Sequence, residues 1–307
     1  MTSCPPVGST LQQYPYMNRP AVLATGLFSS GFGPMPNSLV MESVSLESLP
    51  SLDLKMSAPS TKPIKLLLLH GGPGMDYSYF FPFLAPLQRE ANLVFYTQGS
   101  SGALTIAGLL NELHAVLQRF KHDQVVIFAH SFGAALIFEY IKMYGDNSIA
   151  ALILSSWAYD MHWVERYLSK FPSETSKETY AINDDYRNQT LKMIARYFTP
   201  PFIEIGREVL QKVKYNATLS NAIWGSFLSG FDGREVVRSF SKPILSISGT
   251  DDLITDHDYL CDGVKLNDSI EAINIGNVGH FPFIETPDIF NQAILRFLSS
   301  FSKGRNV

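Results

Sequence analysis

Six short apolar runs punctuate the chain from Ile64 onward: IKLLLL (64–69), LVFYT (93–97), QVVIFA (124–129), ALILS (151–155), ILSIS (244–248) and IEAINI (270–275). Their length and their Val, Ile and Leu content predict strands buried on both faces. Between them the period changes. Leu109, Leu113, Val116, Leu117 and Phe120 form one apolar helical stripe, and Phe290, Ala293, Ile294, Phe297, Leu298 and Phe301 form another that opens at Thr286-Pro287. Strands alternating with helices predict an α/β fold, a mostly parallel sheet flanked by helices. Ahead of this, residues 39–56 read as an antiparallel strand pair, and residues 1–36, rich in Pro, Gly and Ser, as an irregular N-terminal arm.

The alternation stops between Trp157 and Ser239. Polar stretches such as SETSKETYAINDDYRNQT separate amphipathic pieces there, and no strand-like run appears. The expected division is therefore a core of residues 37–156 and 240–307, interrupted by a helical cap insertion at 157–239. Within the insertion, NAIWGSFLSGF (221–231) carries enough aromatic surface to cover a site.

Composition narrows the partners. With 307 residues, 46% hydrophobic and 17% charged, the chain can bury a large core. A net charge of -4 with no basic segment argues against a nucleic-acid or anionic-membrane surface and leaves a small-molecule or short-peptide substrate. Cys4 and Cys261 are the only cysteines, without a disulfide framework or zinc-type spacing, which fits a reducing, cytoplasmic setting. No apolar run reaches the roughly 18 residues of a spanning helix.

Candidate chemistry lies at the strand ends. In VVIFAHSFGAAL (125–136) a strand runs into a helix with Ser131 at the corner. A corner serine is often only a helix cap. The alternative is a nucleophile on a strained turn, which requires small residues two positions to either side, and Ala129 and Gly133 meet that demand. HGGPG (70–74) follows the first parallel strand; it is either a plain Gly-Pro turn or a loop whose N–H groups face a developing oxyanion. Gly72 and Phe132 are the natural donor pair, and His70 is expected to order the loop rather than act as a base. A nucleophilic serine needs a base, and the base needs an acid. GTDDLI follows the strand at 244–248 and GNVGHFPFIETP the strand at 270–275, on the edge where open α/β sheets place their sites. His280 is favoured over His257, which is expected to begin a helix. Asp251 and Asp252 are not separable on these grounds.

Together these residues resemble the α/β-hydrolase fold, and within it the chain is similar to the proline iminopeptidases. The resemblance runs from about Ile64 to Phe301 and rests on four motifs in order: His70 to Gly74, Ala129 to Gly133, Gly249 to Asp252, and Gly279-His280 with Glu285-Thr286-Pro287. It implies a Ser131–His280–Asp252 triad, selecting Asp252 over Asp251, and no cofactor or metal. Three positions depart from the family pattern. Ala129 replaces a glycine, TQGSSG (97–102) stands for D-Q-R-G-S-G, and the cap motif W-S-x-W-E corresponds to WGSFL, so that Leu228 replaces the glutamate that holds the substrate's amino group. Trp224, Phe227 and Leu228 are the candidate substrate-binding residues. The expected function is a serine hydrolase acting on an ester or amide of a small, largely apolar substrate. The alternatives are a thioesterase or esterase of metabolite biosynthesis, or a lyase, cyclase or ligand receptor on the same fold.

Overall fold

The computed structural model describes residues 39–58, 62–160, 162 and 182–303. The expected N-terminal arm and part of the expected insertion lie outside these. Among the described residues eight strands form one sheet in the order β1-β2-β4-β3-β5-β6-β7-β8. They are β1 (Met41–Ser43), β2 (Leu54–Ser57), β3 (Ile64–Leu69), β4 (Ala91–Tyr96), β5 (Gln124–His130), β6 (Ala151–Ser155), β7 (Ile244–Gly249) and β8 (Ile270–Ile275). From β4 to β8 all neighbours are parallel, and the β1–β2 pair is added antiparallel along the edge of β4. The sequence-predicted pair is thus present but shorter than 39–56, because residues between Val44 and Asp53 turn back on themselves around Leu46 and Leu49.

Burial on both faces explains the unbroken apolar runs. On β5, Val125, Ile127 and Ala129 join one core cluster while Val126 and Phe128 join the other. Helices α1 (Ile106–Arg119) and α2 (Phe132–Tyr144) cover the first face through Leu109, Leu113, Leu136 and Ile137. The C-terminal helix, Pro287–Lys303, covers the second through Phe290, Ile294 and Leu298.

Between β6 and β7 the described residues are mainly helical: α3 (Asn183–Lys192), α4 (Ile194–Tyr197), α5 (Ile203–Leu210), α6 (Ala217–Ser226) and α7 (Arg234–Ser239). This segment is seated on the loop after β3: Tyr186 Oη donates to Pro73 C=O at 3.1 Å, and Asn216 N–H donates to Gly74 C=O at 2.6 Å. Beyond β7 come α8 (His257–Val264), α9 (Pro282–Glu285) and α10, the helix Pro287–Lys303. His257 is the first residue of α8, as expected. Cys261 lies on α8, 3.6 Å by its sulfur from His257 Nε2; Cys4 lies outside the described residues.

The crossing of β5 and α2 over β3 is tight. A Cβ at Gly133 would lie 2.5 Å from the Leu69 carbonyl oxygen, a backbone atom that cannot swing away. Gly133→Ala is therefore expected to cost about 1–3 kcal/mol of stability in urea denaturation. Gly225→Ala, on α6 where an added Cβ meets nothing within 4 Å, should be neutral or stabilising. Equal effects at the two sites would contradict the packing.

Candidate active site

The corner after β5 is strained. Ser131 adopts φ 52° and ψ -117°, a region closed to most side chains and costing on the order of 1–3 kcal/mol. Its N–H donates to Ser155 C=O at 3.0 Å, tying the corner to the end of β6. The hydroxyl does not cap α2. It lies instead 3.1 Å from His280 Nε2.

His280 arrives from the loop after β8. Its Nδ1 is 2.9 Å from Asp252 Oδ2, and its backbone N–H donates to Tyr197 C=O at 2.8 Å. With the Nδ1 proton given to Asp252, Nε2 keeps a lone pair for the Ser131 hydroxyl. Asp252 is buried, and its position is fixed by Ile254 N–H and Thr255 N–H on Oδ1 and by the Thr255 hydroxyl on Oδ2. Burial pushes this carboxyl up, but the charge and hydrogen bond of His280 and the Thr255 bonds outweigh it and hold the group below its ordinary value. Asp251 is exposed and accepts the neighbouring Thr250 hydroxyl. The two aspartates are thereby separated: only Asp252 meets the imidazole.

The HGGPG loop packs directly on the corner, since a Cβ at Gly71 would lie 2.9 Å from Ser131 Cβ. Gly72 has φ +52° and Gly74 φ +91°, conformations that suit glycine at both positions. Phe132 opens α2, so its N–H is one of those left without an intrahelical partner. His70 is turned away from this chemistry: Nδ1–H is directed to Gly71 C=O at 3.1 Å and Nε2 accepts Gln98 N–H at 3.0 Å. Burial lowers its pKa to about 4, so it is a neutral loop brace. The TQGSSG turn that follows is held by buried Glu112, which accepts Gly99 N–H at 2.7 Å and Ser101 N–H at 3.1 Å.

The candidate cap residues are spread apart. Leu228 is buried in the apolar cluster that also contains Phe132, Leu219, Ile223 and Phe231, Phe227 packs on Phe231, and Trp224 is 40% exposed. Four residues without an assigned role stand next to the site. Tyr197 meets the His280 ring at 5.9 Å, and Tyr79 and His130 lie beneath it. Buried Glu285 accepts Gly279 N–H at 3.0 Å and the Thr199 hydroxyl, binding the His280 loop to the segment after α4. Only Glu285, through its spacing from His280, and His130, inside the serine motif, carried any sequence signal. Among the described residues no group of three or more His, Cys, Asp or Glu side chains is placed to hold a metal ion, and no helix is long and apolar enough to cross a membrane.

The model of the alpha/beta hydrolase family matches residues 66–293. The proline iminopeptidase of Lactobacillus delbrueckii subsp. bulgaricus is 23% identical over 274 residues, covering 78% of this chain and 92% of the relative. That of Thermoplasma volcanium is 24% identical over 272 residues, covering 80% and 92%. Among solved structures, an esterase from Rhodococcus sp. superposes with a TM-score of 0.66 at 18% identity, covering 85% of this chain and 98% of the other. The Mycobacterium smegmatis proline iminopeptidase gives 0.62 at 16% identity, covering 84% and 98%.

The Glu285 latch has a pH signature. Burial pushes its carboxyl from the ordinary 4.5 up to about 7, against the Thr199 and Gly279 hydrogen bonds and with a contribution from Asp252. Between those values the folded state holds a proton that the unfolded state has lost, so this contribution to stability is full below the unfolded pKa and fades as pH rises through about 7. Glu285→Gln keeps an acceptor without the charge. Its stability relative to the parent should rise by up to roughly 3 kcal/mol between about pH 5 and about pH 8. A gap that does not change with pH would contradict a protonated Glu285.

Proposed function

The chain belongs to the alpha/beta hydrolase family, and we propose that within it the protein is a serine hydrolase cleaving an ester or amide bond of a small, largely apolar substrate. One observation carries this reading: the Ser131 hydroxyl, the His280 ring and the Asp252 carboxylate stand in line at 3.1 and 2.9 Å. In the proposed reaction Ser131 Oγ attacks the carbonyl carbon as His280 Nε2 takes its proton, and Asp252 stabilises the imidazolium. Gly72 and Phe132 N–H groups receive the oxyanion. The proton passes to the departing alcohol or amine as its bond to the acyl carbon breaks. Water then repeats the sequence on the acyl-serine and releases the acid. In this reading residues 157–239 form the cap, with Trp224, Phe227 and Leu228 on its substrate side, and residues 37–156 and 240–307 the core. The cytoplasmic setting expected from composition is part of the proposal.

The relatives favour an aminopeptidase, and Leu228 favours an esterase. An aminopeptidase holds a substrate ammonium in a partly desolvated pocket, and an unpaired ion there costs several kcal/mol. Leu228 is among apolar side chains. Of three other acids in the segment, Glu204 and Glu208 are exposed on α5, and Asp232 is engaged by Arg234, which with burial opposing lowers its carboxyl to about 2.

The test is kcat/KM on a short apolar acyl ester, on proline arylamide and on its N-acetylated form. The ester should be turned over at least roughly tenfold more efficiently than the free-amine arylamide. A preference for proline arylamide that N-acetylation abolishes would replace this reading with the iminopeptidase one.

A further inference from the structure

Beneath Ser131 and His280 lies a buried chain of three hydrogen bonds that the proposed reaction does not use. Gly71 N–H points to Tyr79 Oη at 2.5 Å, Tyr79 Oη lies 2.9 Å from His130 Nδ1, and His130 Nε2 lies 3.0 Å from the backbone carbonyl of His280. Its two ends fix its direction. A backbone N–H only donates, so Tyr79 accepts from Gly71 and turns its own hydrogen to His130 Nδ1. A carbonyl only accepts, so the one ring proton of His130 sits on Nε2. No other tautomer satisfies all three contacts.

The chain runs between the parts that must cooperate. Gly71 precedes Gly72 in the loop after β3, His130 precedes Ser131 at the end of β5, and His280 sits after β8. Tyr79 and His130 are each 1% exposed, and the imidazole is packed among Tyr79, Phe281 and Phe283, with ring centres 5.6, 4.9 and 5.2 Å away. The His280 ring centre is 5.0 Å distant. Resting on the serine-hydrolase reading above, we propose that His130 is a positioning residue: through Tyr79 and two backbone groups it holds the Gly71–Gly72 loop, Ser131 and His280 in one geometry for acyl transfer.

The groups facing His130 keep it neutral in this role. Burial and the His280 ring, with a smaller push from His70, lower its pKa well below the ordinary value, against the His280 carbonyl bond and the Asp252 charge. A protonated His130 would lose its acceptor for Tyr79 and set a second cation against the imidazolium formed during turnover. The residue therefore acts through the backbone and donates no proton to the reaction.

Two substitutions at His130 separate its two bonds, because a Gln amide nitrogen reaches the Nε2 position and an Asn amide only the Nδ1 position. His130→Gln retains the donor to the His280 carbonyl, His130→Asn removes it, and Tyr79→Phe deletes the hydroxyl that joins Gly71 to His130. Measured on an apolar ester, His130→Asn and Tyr79→Phe should lower kcat roughly 10- to 100-fold with KM within about threefold, and His130→Gln, which gives up the acceptor for Tyr79 but keeps the His280 bond and leaves Gly71 on Tyr79, should lose clearly less than His130→Asn. The proposal is overturned if folded His130→Asn keeps kcat within about threefold of the parent, if Asn and Gln lose equally, or if the loss falls on KM. Should His130→Asn fail to fold, Tyr79→Phe decides alone on the same kcat criterion. Ser131→Ala in the same series distinguishes the failures: turnover surviving in it sinks the serine-hydrolase reading and this inference together, whereas an inactive Ser131→Ala beside an unaffected His130→Asn sinks only the inference.

Discussion

The backbone at Ser131 occupies a conformation that an L-residue enters only under constraint, and the site is arranged by what holds it there. Three neighbouring strands supply the constraint. In register, Leu69 of β3 faces Ala129 of β5, and His130 of β5 faces Ser155 of β6. The Ser155 carbonyl grips the Ser131 N–H from one side, and the Leu69 carbonyl leaves no room for more than glycine at position 133 on the other. A strand entering a helix this abruptly cannot spend its hydroxyl as a cap. It presents that hydroxyl at the carboxyl edge of the sheet, where the loops after β7 and β8 bring Asp252 and His280. The parallel sheet thus fixes the distances because every contributing loop leaves from the same edge.

Two buried carboxyl groups near His280 illustrate how local donors set charge. Asp252 receives two N–H groups, a hydroxyl and the imidazole, enough to overcome burial and stay ionised. Glu285 has the Thr199 hydroxyl and two N–H groups, one of them at 3.4 Å, no cation, and Asp252 as a like-charged neighbour, so its proton is retained to a higher pH. One acid is suited to balancing charge on the histidine, the other to bracing the loop that carries it. Environments that push paired titratable groups apart are a common means of dividing such tasks.

The strands and the side chains gathered at their ends were legible because both are local in sequence. An apolar run six residues long reports its own burial, and Ser131, Asp252 and His280 each follow such a run within a few positions. Asp252 needed the family pattern, since two adjacent aspartates in a turn have the same local signal and differ only in the partner they meet. Tyr79 was not legible: it sits in the run YSYFFPF, where core packing explains every ring, and its partner His130 is 51 residues away. Tyr197 and Glu112 were hidden for the same reason, one reaching His280 from the segment between β6 and β7 and the other organising a turn thirteen residues back in the chain. Trp224 and Leu228 are four residues apart, a spacing that shares one face of a continuous helix, but α6 ends at Ser226 and Leu228 lies in the turn that follows, so one is exposed and the other buried.

Pairing with His280 would make the Ser131 hydroxyl nucleophilic, and reaction with a fluorophosphonate probe reads that property at the serine itself. Such a probe bonds to a serine oxygen only where a neighbouring base removes the hydroxyl proton. Peptide mass mapping should place a single stoichiometric adduct on Ser131, with labelling abolished in His280→Ala while the protein remains folded. An adduct on a different serine, or labelling of Ser131 that is undiminished in His280→Ala, would contradict the account.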